Sequence, residues 1–104
     1  MLYYIREIKR HDRNEFLENV TKSNDNYVSS SAALILAQLG EYKISFDVFL
    51  KQVDSSDSFI RIISIIGLAY INDEKSLNII EVKLSDTNKK VKDVANEIFT
   101  KQKK

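Results

Sequence analysis

The sequence predicts an all-α protein, a short right-handed α-α superhelix (solenoid) of about three helical hairpins. Three observations predict it: apolar residues recur at helical spacing, proline is absent and glycine occurs only twice in 104 residues, and one helix–loop–helix pattern recurs along the chain. Apolar side chains three or four residues apart lie on one face of a helix. An all-β protein rich in tight turns would need more glycine and proline than this chain has.

The most apolar stretch of helical length is Ser58–Asn72, and it predicts a buried central helix. Ile60, Ile63 and Gly67 share one helical face, and neighbouring isoleucines widen that face until little polar surface remains. Isoleucine also favours strands, but the run is longer than the usual strand of about 5–6 residues and shorter than the roughly 20 residues of a membrane span. Glycine inside this helix predicts the close approach of a neighbouring helix.

The other helices follow from the same spacing. A first helix near Leu2 is expected to end around Lys9–His11, and Asp12 and Glu15, which have the spacing of a capping box, are expected to begin a second. Polar loops separate the helices that follow. These further helices are predicted from Tyr27 to Gly40, over about Ile44–Val53, from Leu77 to Leu84 and from Val91 to Phe99.

The helical pattern repeats along the chain. Segment 16–20 (FLENV) matches segment 49–53 (FLKQV), and segment 80–84 (IEVKL) keeps the apolar first and last positions. A polar loop follows each copy and leads into an aliphatic residue, Val28, Ile60 or Val91, at spacings of 32 and 31 residues. Such periods are typical of stacked helical repeats. We therefore predict one domain over residues 1–104, divided into a first hairpin (1–22), two repeats (23–53 and 54–84) and a terminal helix with a basic tail (85–104).

This pattern resembles the HEAT-repeat family, in particular the short units of phycobilisome-lyase-type proteins, over about residues 12–101. The resemblance depends on a polar turn that often bears Asp, an aliphatic residue after it, a small residue in mid-helix, and a Leu-Gly helix end at Leu39-Gly40. It implies an α-solenoid, and it implies a structural pair between the turn and the helix. Both members of that pair are present only at Asp57 and Arg61.

The sequence contains no pattern typical of an active site. There is no cysteine and His11 is the only histidine, whereas a zinc site needs several such ligands. Ser29–Ser31 lies on a predicted helix, without the strained turn or adjacent base of a nucleophile. The segment 24–26 lacks the glycine and the distal glutamate of a calcium loop. We therefore predict no enzymatic activity, no cofactor and no metal site.

The remaining hypothesis is the recognition of another protein. In HEAT-like arrays the second helix of each unit lines the concave face, and repeats present extended surfaces to partners. The first hypothesis is a non-enzymatic scaffold or adaptor. The alternative is a non-catalytic C-terminal HEAT-like appendage of a larger enzyme, which docks through the first helix, and nucleic-acid binding is the third hypothesis. By analogy with that family, the partner-binding positions would be Asp47, Lys51, Lys75, Asn78 and Lys83.

Charge and the chain's N-terminus give further expectations. The formal net charge is +1, which argues against a dedicated nucleic-acid binder, since such proteins present a strongly basic surface. The basic C-terminal tail is expected to be solvated or to contact an acidic partner. The N-terminus lacks the apolar core of a signal peptide, so we expect a cytoplasmic protein without a membrane partner. We expect a monomer, or a weak homodimer formed through a terminal helix.

Overall fold

Six α-helices make up residues 10–102, the part of the chain that the computed structural model describes, and no strand occurs in that range. The all-α prediction is therefore confirmed. None of these helices is long and apolar enough to cross a membrane. The helices are α1 (Arg10–Val20), α2 (Asn26–Gln38), α3 (Tyr42–Gln52), α4 (Ser58–Ile71), α5 (Glu74–Val82) and α6 (Lys89–Gln102), and a 3₁₀ turn (Lys83–Ser85) follows α5.

The loops before α2, α4 and α6 share one hydrogen-bonded geometry. Asp25, Asp57 and Asn88 each accept a 2.9 Å hydrogen bond from the backbone N–H two residues later. Each thereby caps a helix by satisfying an amide that has no partner within the helix. The side chain two residues before each cap accepts the cap's own N–H, at 3.1, 3.1 and 2.9 Å; these side chains are Ser23, Ser55 and Asp86.

Two of the helices end on a residue in the left-handed region. Gly40 follows α2 with φ of 87°, the Glu41 N–H donates to Leu36 O at 2.9 Å, and the Gly40 N–H donates to Ala37 O at 3.0 Å. These two bonds form a Schellman motif. Thirty-two residues later, Asn72 takes the same position after α4 with φ of 55°, so asparagine replaces glycine at the equivalent helix end.

Helix α4 lies at the centre of the structure, packed against α2, α3, α5 and α6. Its residues Ile65 and Leu68 are fully buried. Gly67 faces Phe49 of α3. A Cβ added at position 67 would lie 2.6 Å from Phe49 Cε1 and even nearer to Cζ, the tip of the ring. Both predictions for this stretch, a buried central helix and a close approach at the glycine, are confirmed.

The predicted helix start at Asp12 is wrong. Residues 10–20 are all helical, so Asp12 lies within α1 and does not begin it. Asp and Glu three residues apart also share a face inside a helix, so the Asp12 and Glu15 spacing alone does not mark a boundary. The helix predicted near Leu2 lies outside the described residues.

The match between segments 16–20 and 49–53 is one residue out of register with the structure. Phe16 is 67% exposed, whereas Leu17 is buried, and it is Leu17 that precedes the buried Phe49 by 32 residues. That spacing is also the spacing of the caps Asp25 and Asp57. Burial depends on the angular position of a residue on its helix, so one residue of offset moves the Phe16 side chain off the core.

Candidate interaction surface

Lys83 is buried, so the prediction that it is an exposed residue of a partner-binding surface is wrong in its exposure. Its ammonium donates a 2.7 Å hydrogen bond to Asp54, in the loop before α4. Helix α5 ends at Val82, and Lys83 begins a 3₁₀ turn. Lys83 is buried by its contact with Asp54, 29 residues earlier in the chain, which helical spacing does not reveal.

The other four predicted positions are exposed but lie in different places. Asp47 and Lys75 line one small cleft with Tyr42 and Phe46, where α3 approaches the start of α5. Asn78 lines a separate groove between α5 and α6. Lys51 lies one turn after Asp47 on α3. The structure therefore brings two of these predicted residues into one cleft.

Arg61 and Asp57 do not pair through their side chains. Arg61 Nε and Nη2 donate to Asp86 Oδ2 and Oδ1, both at 3.1 Å, and Nη1 donates to Ser55 O at 2.7 Å. Asp57 instead caps α4 through the Phe59 N–H. The guanidinium thus joins the loop before α4 to the loop before α6. Sequence reasoning missed Asp86 because the other loops have serine at the equivalent position, two residues before the cap.

The carboxyl groups of Asp73 and Asp86 have lowered pKa values, and their hydrogen bonds explain the change. Burial raises the pKa of Asp86, but the Asn88 N–H and Arg61 together outweigh burial, and the net pKa is lowered. The side chain and the backbone N–H of Ser76 lower the pKa of Asp73, which caps α5. A general acid at neutral pH needs a raised carboxyl pKa, and neither group has one. Within residues 12–102, no group of three or more His, Cys, Asp or Glu side chains is arranged to hold a metal ion.

An exposed face that is rich in aromatic and aliphatic side chains extends across α2 and α4. At one end the rings of Tyr27 and Phe59 stack with their centroids 5.8 Å apart. At the other end, Gln38 Nε2 lies 3.4 Å from the Tyr70 hydroxyl. On α4, helical spacing places the half-buried Ile66 between these two contacts. On α2, the exposed Ile35 lies beside the line from Tyr27 to Gln38, about 60–80° around the helix axis. We call this surface the α2–α4 face, and its members are Tyr27, Ile35, Gln38, Phe59, Ile66 and Tyr70.

The α2–α4 face carries no unpaired charge. Helix α2 contains no charged residue, and the one charged residue of α4, Arg61, is tied to Asp86. Charged residues make up 30% of the whole chain, so an uncharged surface across two neighbouring helices is a local departure from its composition. Interface cores in proteins are likewise depleted of charge and enriched in tyrosine and phenylalanine.

The α2–α4 face continues into a groove between α4 and α6. The groove has a volume of about 540 Å³, and Gln102 Nε2 donates a 2.8 Å hydrogen bond to Ala69 O at one end. Its lining is mostly apolar and includes one carboxylate, Glu97, which accepts a 3.0 Å hydrogen bond from the exposed Lys101. The lining residues are Ile66, Ala69, Tyr70, Val94, Glu97, Ile98 and Gln102.

Comparison of the chain with protein-family models, with curated proteins and with solved structures finds no match in any of the three.

Proposed function

We propose that this chain is a non-enzymatic scaffold or adaptor module that binds another protein through a surface of stacked HEAT-like helical hairpins. The repeated loops before α2, α4 and α6, with equivalent caps at Asp25, Asp57 and Asn88, support a repeat architecture. Units of this kind bury a continuous core by stacking and leave an extended outer surface for partners.

The observation that carries the proposal is the uncharged α2–α4 face. Tyr27, Phe59 and Tyr70 are each about half exposed there, at 51%, 54% and 49%. Tyrosine offers a large apolar area together with a polar tip, and exposed apolar patches of this kind mark interaction sites. The matching partner surface is apolar and uncharged, with side chains that enter the adjoining groove between α4 and α6.

The surface predicted from the family resemblance supports the proposal less well. Asp47, Lys51, Lys75 and Asn78 carry charges of both signs or a polar amide, and they are divided among separate clefts. The alternative function, docking of an enzyme appendage through the first helix, depends on residues outside those described and stays a prediction.

The test is a comparison of variants in affinity capture and in light scattering. Ile35→Glu places a charge on the α2–α4 face, and Leu50→Glu places the same charge on α3. The two wild-type side chains are similarly exposed, Ile35 at 44% and Leu50 at 51%. We expect the wild type and Leu50→Glu to capture the same partner in equal amounts. Ile35→Glu should no longer capture it. The same partners on all three proteins would contradict the proposal. Self-association that Ile35→Glu abolishes would make a second copy the partner.

A further inference from the structure

A groove between α5 and α6 has an apolar floor and an acidic rim. Its floor is formed by Leu77 and Phe99, both half-buried, and its rim by Glu74, Asn78 and Glu81. Its volume is about 370 Å³, within the range of protein pockets that hold a ligand group, roughly 300–1,000 Å³. None of its lining residues belongs to the α2–α4 face.

The two carboxylates of the rim have no partner within the described part of the chain. Glu74 and Glu81 are both exposed, and neither forms a hydrogen bond or an ion pair with a residue in 12–102. They are seven residues apart on α5, which is two turns and about 10 Å along the helix axis. Leu77 and Asn78 lie between them on the same face.

The position of Glu81 costs the isolated helix stability. It lies in the last turn of α5, which contains no basic residue, and a carboxylate there meets the negative end of the helix dipole. Lys83, close by in sequence, directs its ammonium to Asp54 instead. A cation on a binding partner would therefore neutralise a charge that the described residues leave uncompensated.

We propose that this groove binds a segment of another protein that carries an apolar side chain between two basic side chains. The basic side chains pair with Glu74 and Glu81, and the apolar side chain packs on Leu77 and Phe99. An amphipathic helix with lysine or arginine at positions i and i+7 and leucine at i+3 and i+4 has this spacing. This inference goes beyond the proposed function because it concerns a second surface. The partner segment here is basic, whereas the partner of the α2–α4 face is uncharged.

The chemistry of the rim selects among classes of partner. Nucleic acids and anionic membranes present negative charge, which the carboxylates of Glu74 and Glu81 repel. An uncharged apolar helix would leave both carboxylates beside apolar surface without a counter-charge, which is unfavourable. A basic amphipathic segment satisfies both the rim and the floor, and the amide of Asn78 between the carboxylates can both donate and accept hydrogen bonds.

The binding test uses the full chain and a fluorescein-labelled synthetic peptide of three helical turns, with lysine at i and i+7 and leucine at i+3 and i+4. A control peptide has glutamate at both lysine positions. We expect fluorescence polarisation to show binding of the lysine peptide that weakens as salt rises, because the ion pairs are exposed to solvent. Equal affinity for the two peptides would overturn the proposal.

Variants then locate the site. Asn78→Lys places a positive charge between the two carboxylates and is expected to weaken peptide binding at least tenfold, whereas the matched Asn19→Lys on α1, also exposed, should leave the affinity unchanged. Glu74→Gln and Glu81→Gln are each expected to weaken binding roughly two- to fivefold, the range for exposed ion pairs. Wild-type affinity in Asn78→Lys, with an unchanged thermal melt, would exclude this groove.

The same measurements separate this inference from the proposed function. Ile35→Glu alters the α2–α4 face and should leave affinity for the lysine peptide unchanged. Asn78→Lys should leave capture through the α2–α4 face unchanged. Each proposal can therefore fail while the other stands.

Discussion

The carboxylate of Asp86 receives two hydrogen bonds of 3.1 Å from the guanidinium of Arg61, which precedes it by 25 residues. The two side chains are only 6% and 13% exposed. A paired Arg–carboxylate contact of this kind is both directional and strong. It joins the loop before α4 to the loop before α6, so it holds the starts of these two helices against each other.

Removal of one partner of this pair should destabilise the fold. Arg61→Ala leaves the Asp86 carboxylate buried without its counter-ion, and breaking such a pair costs about 3–5 kcal/mol. We expect a loss of about 3 kcal/mol in the free energy of unfolding, measured by urea denaturation. The control is Glu97→Gln, which breaks the exposed pair with Lys101 and should change stability by less than about 0.5 kcal/mol. Equal effects of the two changes would contradict the structural role of Arg61.

Acid should destabilise the protein through Asp86 and Asp73. Both folded-state pKa values are lowered, so the unfolded chain binds protons more readily than the folded one. Their contribution is present above the ordinary aspartate pKa of about 3.9 and is lost as pH falls through the lowered values. We expect the urea concentration at the midpoint of unfolding to decrease as the pH drops below about 4. Asp73→Asn should make that decrease smaller. A midpoint that rises on acidification would reverse the sign of the linkage and contradict the prediction.

Gly67→Ala should destabilise the protein although alanine is the better helix former. A Cβ at this position overlaps the buried ring of Phe49, and overpacking of a core costs typically about 1–3 kcal/mol, more than the gain of about 1 kcal/mol in helix propensity. Replacing Phe49 with leucine in the same chain should recover part of the loss, because the two changes share one contact.

The matched control for that experiment is Gly40→Ala. Gly40 has open space around its Cα but a φ of 87°, so alanine is strained there by roughly 1 kcal/mol. Phe49→Leu should not relieve this loss. Equal recovery of both glycine variants by Phe49→Leu would show that packing on the ring is not the cause.

Asn72→Gly should stabilise the protein. Asn72 holds the left-handed conformation that ends α4, and glycine adopts that conformation without steric cost, as Gly40 does after α2. We expect a gain of about 0.5 kcal/mol, seen as a higher midpoint in thermal unfolding. Asn72→Val is expected to have the opposite effect, because a β-branched residue is strained at positive φ. It should lower the midpoint of thermal unfolding.

The helices, their caps and their ends were predictable because the signals are local. The cap at Asp57 bonds to an amide two residues away, and the helix end at Gly40 depends on atoms within four residues of it. One error had an equally local cause. Asp12 has a spacing that occurs both at helix starts and inside helices.

The candidate surfaces were predictable only in part. Asn78 lies on the rim of the α5–α6 groove, but Glu74 and Glu81, which give that rim its charge, carry no signal in the sequence beyond ordinary exposed glutamates. The exposed aromatic residues Tyr27 and Phe59 are visible in the sequence as candidates for binding or packing. Their stacking across two helices, 5.8 Å between ring centroids, depends on the distance between α2 and α4.

The sequence by itself therefore determined the all-helical class, the central helix around Gly67 and the repeat of its loops, because each depends on helical periodicity or on hydrogen bonds within a few residues. Only the tertiary structure decided that Arg61 pairs with Asp86, that Lys83 is buried against Asp54, and which side chains form an uncharged face. These contacts join residues 25 to 32 positions apart. Their formation depends on how whole helices pack, which no single segment specifies.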